Sequence, residues 1–326
     1  MAKRVIVTGG GGFIGAYLVK RLVADGWDVA VVDSMVRGDA SRFAEVASDV
    51  ELFTCDVRDQ DALEKAFKGA EVVMHLAAVN GTENFYKQPE LVLSVGMLGM
   101  LAVANAGRNV GVPDLVVAST AEVYQTPSII PTPETIPLML PDSLNPRYSY
   151  GGGKIVSELI AFNYGQDHYR QVQVFRPHNV FGPNMGWKHV EPQFIMRALA
   201  AQEAGDGAFP IQGDGTETRS FCYVDDVVEG ILTMYEKGGH REIYHIGSDE
   251  EITIRDLAAR IGKIVGIDLD IQPGELQHGG TKRRCPDISK MRALGWSPVV
   301  GLDEGLERTV AWYREHRDDV PANDLM

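Results

Sequence analysis

Short apolar runs alternate with longer amphipathic stretches over the first 120 residues. Val5-Ile6-Val7, Val29 to Val32, Val50 to Phe53, Val72 to Leu76 and Leu115 to Ala118 read as strands. Between them, helix patterns run to Val23, from Gln60 to Phe67 and from Leu91 to Asn109, while Ser41 to Ala47 is more polar. Apolar strands separated by helices predict a parallel sheet covered on both faces, hence an α/β fold. From Gln125 to Pro146 the texture changes. Six of the chain's 16 prolines fall there, which predicts an extended, ordered loop. A helix pattern resumes from Tyr148 to about Tyr169 and a strand from Val172 to Phe175. Beyond Pro183 shorter mixed elements predict a smaller second lobe.

Composition narrows the function classes. The 326 residues are 44% hydrophobic and 23% charged, the mixture of a globular protein with ample core. Lys and Arg number 31 against 45 Asp and Glu, a net charge of -14 that repels phosphate backbones and disfavours nucleic acid as a partner. Any anionic ligand needs local cations and backbone amides. The three cysteines, Cys55, Cys222 and Cys285, lack a CxxC spacing, so neither a disulfide framework nor a metal site is expected. The start lacks a signal-peptide pattern, and no run approaches the ~18 apolar residues of a spanning helix. A cytoplasmic location, away from membranes, is expected.

The first strand ends in Thr8-Gly9-Gly10-Gly11-Gly12-Phe13-Ile14-Gly15, which satisfies both GxxGxxG and GxGxxG. Glycines at a first βα turn let the backbone approach a pyrophosphate, whose charge the helix N-terminus stabilises. The second strand ends at Asp33, an acidic residue placed to bond adenosine ribose hydroxyls and repel a 2′-phosphate. NAD is therefore expected over NADP, although Arg37 nearby could accept a phosphate. Asp56 and Val57, after the third strand, are candidates for the adenine edge; Asp56 alone reads as a helix cap.

Tyr150 and Lys154 lie four residues apart on one face of a helix start. The lysine charge and a nearby nicotinamide cation both favour phenolate, letting a tyrosine with ordinary pKa ~10 act as a base. Ser119 and Thr120 follow the strand ending at Ala118, where a hydroxyl can face a cofactor laid across the strand ends.

These motifs, in this order, resemble the extended short-chain dehydrogenase/reductases of the nucleotide-sugar epimerase/dehydratase group. The resemblance spans nearly the whole chain: Gly9 to Gly15, Asp33, His75-Leu76-Ala77-Ala78, Ser119-Thr120, Val123-Tyr124, Tyr150 with Lys154, and Arg176 to Pro183. Gly213 to Asp226, Arg284 to Ile288 and Leu294-Gly295-Trp296 continue it. It implies a Rossmann-type doubly wound sheet at 1–177 with a return segment near 221–247. A nucleotide-sugar-binding lobe at 178–220 and 248–326 would complete the chain. It further implies bound NAD held by Gly9, Gly12, Phe13, Ile14, Gly15, Asp33, Asp56, Val57, Leu76, Ala77, Ala78, Tyr150 and Lys154. In this family pattern Tyr150 is the general base, Lys154 lowers its pKa, and Thr120 bonds the hydroxyl being oxidised; Asn179, Arg219 and Arg284 would contact the diphosphate or nucleoside. A homodimer through the Leu91–Asn109 and Ile155–Tyr169 helices is expected, as is a place in carbohydrate biosynthesis.

Three positions depart from the family pattern: Tyr-Gly-Gly-Gly-Lys at 150–154, Gln125 where glycine follows Val-Tyr, and His178 where phenylalanine precedes Asn179. The reaction after oxidation turns on Thr120-Ala121-Glu122. An epimerase returns the hydride to the other face of a 4-keto sugar and needs no further acid or base. A dTDP-glucose-type 4,6-dehydratase has Asp where Ala121 stands, and Ala121 cannot donate a proton. Glu122 could serve as base in a dehydratase or a UDP-uronate decarboxylase, or merely bond a substrate hydroxyl. A 4-epimerase is the leading expectation. A non-catalytic NAD-sensing regulator is a further reading, against which Tyr150, Lys154 and Thr120 all stand.

Overall fold

The computed structural model describes residues 2–275 and 281–320. Strands β1 (Arg4–Thr8), β2 (Asp28–Asp33), β3 (Val50–Thr54), β4 (Val72–His75), β5 (Asp114–Ala118) and β6 (Gln171–Pro177) lie in one seven-stranded parallel sheet. The order runs β3-β2-β1-β4-β5-β6, and the strand Glu242–Ile246 closes the β6 edge. Strand order reverses between β1 and β4, so a crevice opens at their carboxyl ends, where open α/β sheets bind ligands.

The continuous apolar character of the strands follows from burial on both faces. Val5, Val7, Val29 and Val31 pack under α1 (Phe13–Ala24) and the helix Val224–Lys237. Ile6, Ala30, Val32 and Val73 face the opposite layer, with Leu63 of α2 (Gln60–Ala66) and Met100 and Val103 of the helix that ends at Val110. A third cluster gathers Phe181, Phe194, Leu257 and Tyr313 among the helices Val190–Ala204, Ile254–Val265 and Leu302–Glu315.

Several elements differ from the sequence expectation. The short helix α3 (Thr82–Lys87) was not anticipated; it starts after Gly81, whose φ of 109° few other residues tolerate. The expected Leu91–Asn109 helix is α4 (Pro89–Ser94) and α5 (Met100–Val110) joined by a π turn at Val95–Gly99. That turn frees the Gly96 carbonyl to accept from Ser157 Oγ at 2.9 Å, tying the helix to α6 (Ser149–Tyr164). Pro89–Val110 is long and apolar enough to cross a membrane, yet it packs as a core helix against α2 and α6. Helix α6 stops five residues before the expected Tyr169. Chain reversal at Gly165 brings the Tyr169 hydroxyl under α5, where it donates to the Ala104 carbonyl at 2.8 Å.

The proline-rich segment is an ordered connection. Thr132 N donates to the Cys285 carbonyl and Asp287 N to the Thr132 carbonyl, both at 2.8 Å, while Met139 N reaches the Val123 carbonyl at 2.9 Å. It therefore ties the β5 exit to the segment that carries Arg284.

Candidate active site

The glycine loop is shaped by close approach. A Cβ at Gly10 would lie 2.7 Å from Val31, and one at Gly15 only 2.1 Å from the Gly9 carbonyl oxygen. Gly12 caps α1 without a side chain, and no acidic residue occupies the first turn. The first-turn amides of Phe13 and Ile14 thus have no helical carbonyl behind them, and the helix dipole leaves them a site for a phosphate anion. Asp33, at the end of β2, is buried and accepts from Gly11 N at 3.0 Å and Met35 N at 2.9 Å. Its carboxylate bounds the loop with negative charge, which suits NAD and repels a 2′-phosphate. Arg37 turns away from Asp33 and donates to the Asn80 carbonyl.

Other expected cofactor contacts resolve variously. Leu76, Ala77 and Ala78 run out of β4 along the loop; Leu76 N donates to the Thr8 carbonyl at 3.0 Å and Ala77 N to Thr8 Oγ1 at 3.3 Å. His75 bonds the Thr8 Oγ1 side chain at 2.7 Å. Asp56 accepts from Arg58 N at 2.8 Å and pairs with its guanidinium, while Asp59 caps α2, correcting the reading of Asp56 as the cap. The Val57 side chain is buried against Gly99 of the π turn.

Thr120, Tyr150 and Lys154 come together where β5 exits beside α6. The Thr120 hydroxyl caps the turn Ala121–Tyr124 by accepting from Glu122 N at 3.2 Å, and it stands near enough to the Tyr150 phenol to favour its ionised form. Lys154 is buried; Nζ donates to the Ala118 carbonyl at 2.6 Å and lies 6.0 Å from the Tyr150 ring centre. Burial pushes the lysine down to about 8, against the pull of Glu158. Burial likewise pushes the Tyr150 phenol up, with Glu122 adding to the rise and Thr120 and Arg37 opposing it. In the protein alone burial outweighs the charges that favour phenolate, and the Lys154 ammonium is itself desolvated and directed at a carbonyl. When bound, NAD supplies a hydride acceptor whose positive ring favours phenolate.

Glu122 stands at the centre of a cationic cluster. Its Oε1 accepts from Arg284 Nη1 at 3.1 Å, and Oε2 lies 3.6 Å from Arg147 Nη2. Burial pulls the carboxyl up, but Arg284, Arg147 and Arg219 outweigh it and hold Glu122 ionised. Arg219 is pushed down to about 10 by burial and by repulsion from Arg284. Three guanidiniums around one carboxylate leave two positive charges, the complement of a diphosphate. The buried Arg284 Nε has no partner among the described residues. Asn179, with φ of 34°, donates from Nδ2 to the Ser220 carbonyl at 2.8 Å.

Sequence reading missed Arg147, Phe85 and the network beneath the site. Arg176 forms a buried two-point pair with Glu158, 2.8 Å from Nε to Oε1, and also donates to the Tyr124 hydroxyl. Tyr124 and His245 Nε2 are 2.7 Å apart. His178 stands 4.8 Å from His245, between ring centres, with both nitrogens unpartnered among the described residues. Arg147 had one visible signal, three residues before Tyr150; Phe85 had none, because its helix was unrecognised.

Two family departures compensate each other. Gln125 takes a φ of 51°, the left-handed conformation that explains glycine there in the family pattern. Its Nε2 donates to the Glu122 carbonyl at 2.6 Å and fills the space where a Cβ on Gly151 would sit, 2.8 Å away. Gly151 is thus required by the Glu122 backbone, whose carbonyl oxygen would lie 3.0 Å from that Cβ, as well as by Gln125. Gly152 is not, since a Cβ there would meet only Leu140 at an ordinary 3.4 Å. Gly152→Ala should raise stability by ~0.5–1 kcal/mol, and a thermal midpoint higher by about 2 °C would show it. An unchanged or lower midpoint would count against this account of the helix.

A dinucleotide-binding sheet with a hydroxyl, a phenol and an ammonium at its strand ends is the architecture of an NAD-dependent enzyme. The chain matches the model of the NAD dependent epimerase/dehydratase family over residues 5–247, and it belongs to that family. It is 31% identical to UDP-glucuronic acid decarboxylase 1 of Xenopus tropicalis over 327 residues, 99% of this chain and 75% of that protein. It is 33% identical to UDP-glucose 4-epimerase of Mycolicibacterium smegmatis, covering 95% of this chain and 98% of the relative. A dTDP-glucose 4,6-dehydratase of Streptomyces venezuelae, solved with NAD bound, superposes with a TM-score of 0.87 at 29% identity over 97% of this chain and 98% of its own. These relatives carry out three different reactions within the family.

Proposed function

We propose that the protein is a nucleoside-diphosphate-sugar 4-epimerase, and the similarity to UDP-sugar enzymes supports uridine diphosphate as the nucleotide. One observation carries the reading. Thr120, Tyr150 and Lys154 assemble for oxidation of a sugar hydroxyl, while the neighbouring positions provide no second proton donor. Ala121 has no ionisable group, and Glu122 is held ionised by arginines. That set suffices for the proton transfers of oxidation at C4 and its reversal, for which bound NAD would supply the hydride acceptor, and it falls short of protonating a departing 6-hydroxyl. Tyr150 would accept the C4 hydroxyl proton, oriented by Thr120, and return it after the keto sugar has turned its other face. Arg219, Arg284 and Asn179 would hold the diphosphate throughout.

Residues 1–177 with 221–247 would bind NAD, and 178–220 with 248–326 would grip the nucleotide sugar. The enzyme would work in the cytoplasm as a homodimer, since Leu93, Leu98 and Leu159 leave an exposed apolar face on α4, the π turn and α6. Light scattering at twice the chain mass would support this, and a monomer at micromolar concentration would end it.

UDP-uronate decarboxylation is the second reading, favoured by the ionised Glu122 at the pocket and the similarity to the Xenopus tropicalis decarboxylase. Mass spectrometry of products from nucleoside-diphosphate hexoses and uronic acids decides between them. Conversion at unchanged mass supports the epimerase, and loss of carbon dioxide or water overturns it. Under the epimerase reading Glu122→Gln lowers kcat by no more than ~tenfold; a loss of a thousandfold or more would instead make Glu122 part of the chemistry.

A further inference from the structure

Tyr150 is held weakly by its own helix. The three residues after it are glycines, and Tyr148, at the N-cap, makes no side-chain capping bond. Glycine is the poorest helix former after proline, so this turn resists distortion poorly. A group that moves a proton must nevertheless keep its place closely, since a shift of about 1 Å can cost on the order of a hundredfold in rate. Support for the phenol has to come from outside α6.

Phe85 and Arg147 supply that support. Phe85 is buried, and its ring stacks on Tyr150 with centres 5.2 Å apart and planes 12° from parallel. The Arg147 guanidinium carbon lies 5.6 Å from the Phe85 ring centre, and its Nη2 is 3.6 Å from Glu122. Both supports are anchored in turn. Asn84 Nδ2 donates to the Asn80 carbonyl at 2.8 Å, Lys188 reaches Glu83 at 2.8 Å, and Arg147 N donates to Asn145 Oδ1 at 3.0 Å. Three segments with no shared motif, α3, the turn Pro146–Tyr148 and the turn Ala121–Tyr124, thus form one chain of contacts that ends on the Tyr150 ring.

We propose that Phe85 and Arg147 are positioning residues for the reaction, Phe85 fixing the plane of the Tyr150 ring by stacking and Arg147 tying that stack to the Glu122 carboxylate. The proposal rests on Tyr150 being the base, a role common to the epimerase and decarboxylase readings. Stacking restrains the ring against tilting. Arg147 also offsets the charge of Glu122, which otherwise acts directly against a phenolate at Tyr150.

The experiment compares Phe85→Leu, Phe85→Tyr, Arg147→Gln and Arg147→Lys with the wild type. Phe85→Leu keeps apolar bulk and loses the ring; it should lower kcat by on the order of tenfold or more with KM within about threefold. Phe85→Tyr should stay within about threefold of wild type. Arg147→Gln should move the acidic limb of the kcat/KM profile to higher pH, and Arg147→Lys should hold it in place. A readout independent of turnover is the NMR spectrum of tyrosine-labelled protein, with Tyr150→Phe identifying the Tyr150 signals. Stacking on Phe85 shifts those signals by ring current. The shift should vanish in Phe85→Leu and persist in Phe85→Tyr.

Unshifted Tyr150 signals in the wild type, or the same shift in Phe85→Leu, would overturn the proposal whatever the enzyme's substrate. So would wild-type kinetics in Phe85→Leu, or an unmoved pH profile in Arg147→Gln. A wild-type protein inert on every nucleotide sugar would end the functional reading, leaving the spectra to decide the stack.

Discussion

Tyr150→Phe is expected to lower kcat by on the order of a thousandfold while changing KM little, because it removes the proton acceptor and keeps the ring that stacks on Phe85. Thr120→Ala should cost less, on the order of tenfold to a hundredfold, since it removes one orienting hydrogen bond and leaves the base in place. The environment of the phenol sharpens the comparison. With burial pushing Tyr150 up and Lys154 directed at Ala118, the phenol is protonated at neutral pH in the protein alone. The base must therefore be generated once the cofactor's positive ring is beside it. Single-turnover absorbance of the reduced cofactor measures the step directly. Tyr150→Phe oxidising substrate within tenfold of the wild-type rate would remove Tyr150 from the chemistry.

A second large effect concerns acid. His75 and His245 are each pushed down to about 3, chiefly by burial and then by Lys154 and Arg176 respectively. His178 lies well below its ordinary range through burial and the nearby His245, Arg284 and Arg176. In the unfolded chain these imidazoles titrate near ~6.5. Below that pH the unfolded state takes up protons that the folded state refuses, so stability present above pH ~6.5 is lost as the pH falls toward 3. Glu191 acts in the opposite sense. Burial pushes it up to about 7, so the folded state keeps a proton that the unfolded carboxyl, at about 4.3, releases. His189 is lowered in the same way by burial and Arg37, so four depressed histidines outweigh the raised Glu191 and Glu134, and stability should fall as the pH drops from 6.5 to 5. Urea unfolding across that range should show the slope, and His178→Phe should reduce it by about one proton. A flat profile, or a slope unmoved by His178→Phe, would mean that these histidines can be protonated in place.

The differences between expected and observed elements share a cause. Helix α3 escaped notice because six residues are too few to establish a 3.6-residue period. Its contribution, Phe85 on Tyr150, exists only through contact between segments 65 positions apart in sequence. The π turn at Val95–Gly99 is likewise invisible to periodicity, since what stabilises it is Ser157 on another helix. The early end of α6 follows the same rule, with Tyr169 drawn under α5 by a carbonyl the sequence pattern does not reveal.

What the sequence by itself determined is whatever acts over a few residues. The apolar strands dictated a doubly covered parallel sheet, and the glycines from Gly9 to Gly15 dictated a loop that admits no side chains at its closest approaches. Asp33, Thr120, Tyr150 and Lys154 were likewise legible, since each stands at a fixed offset from a strand end or helix start. Tertiary structure decided the electrostatics. Lys154 seemed, from spacing, a charge beside Tyr150; folding buried it and aimed it at Ala118. Glu122, which the sequence leaves open as a base or a partner of a substrate hydroxyl, is bound among Arg147, Arg219 and Arg284, which approach from separate segments. The physical reason is that charge interactions and desolvation depend on distance through space and on excluded water, neither of which follows from spacing along a chain.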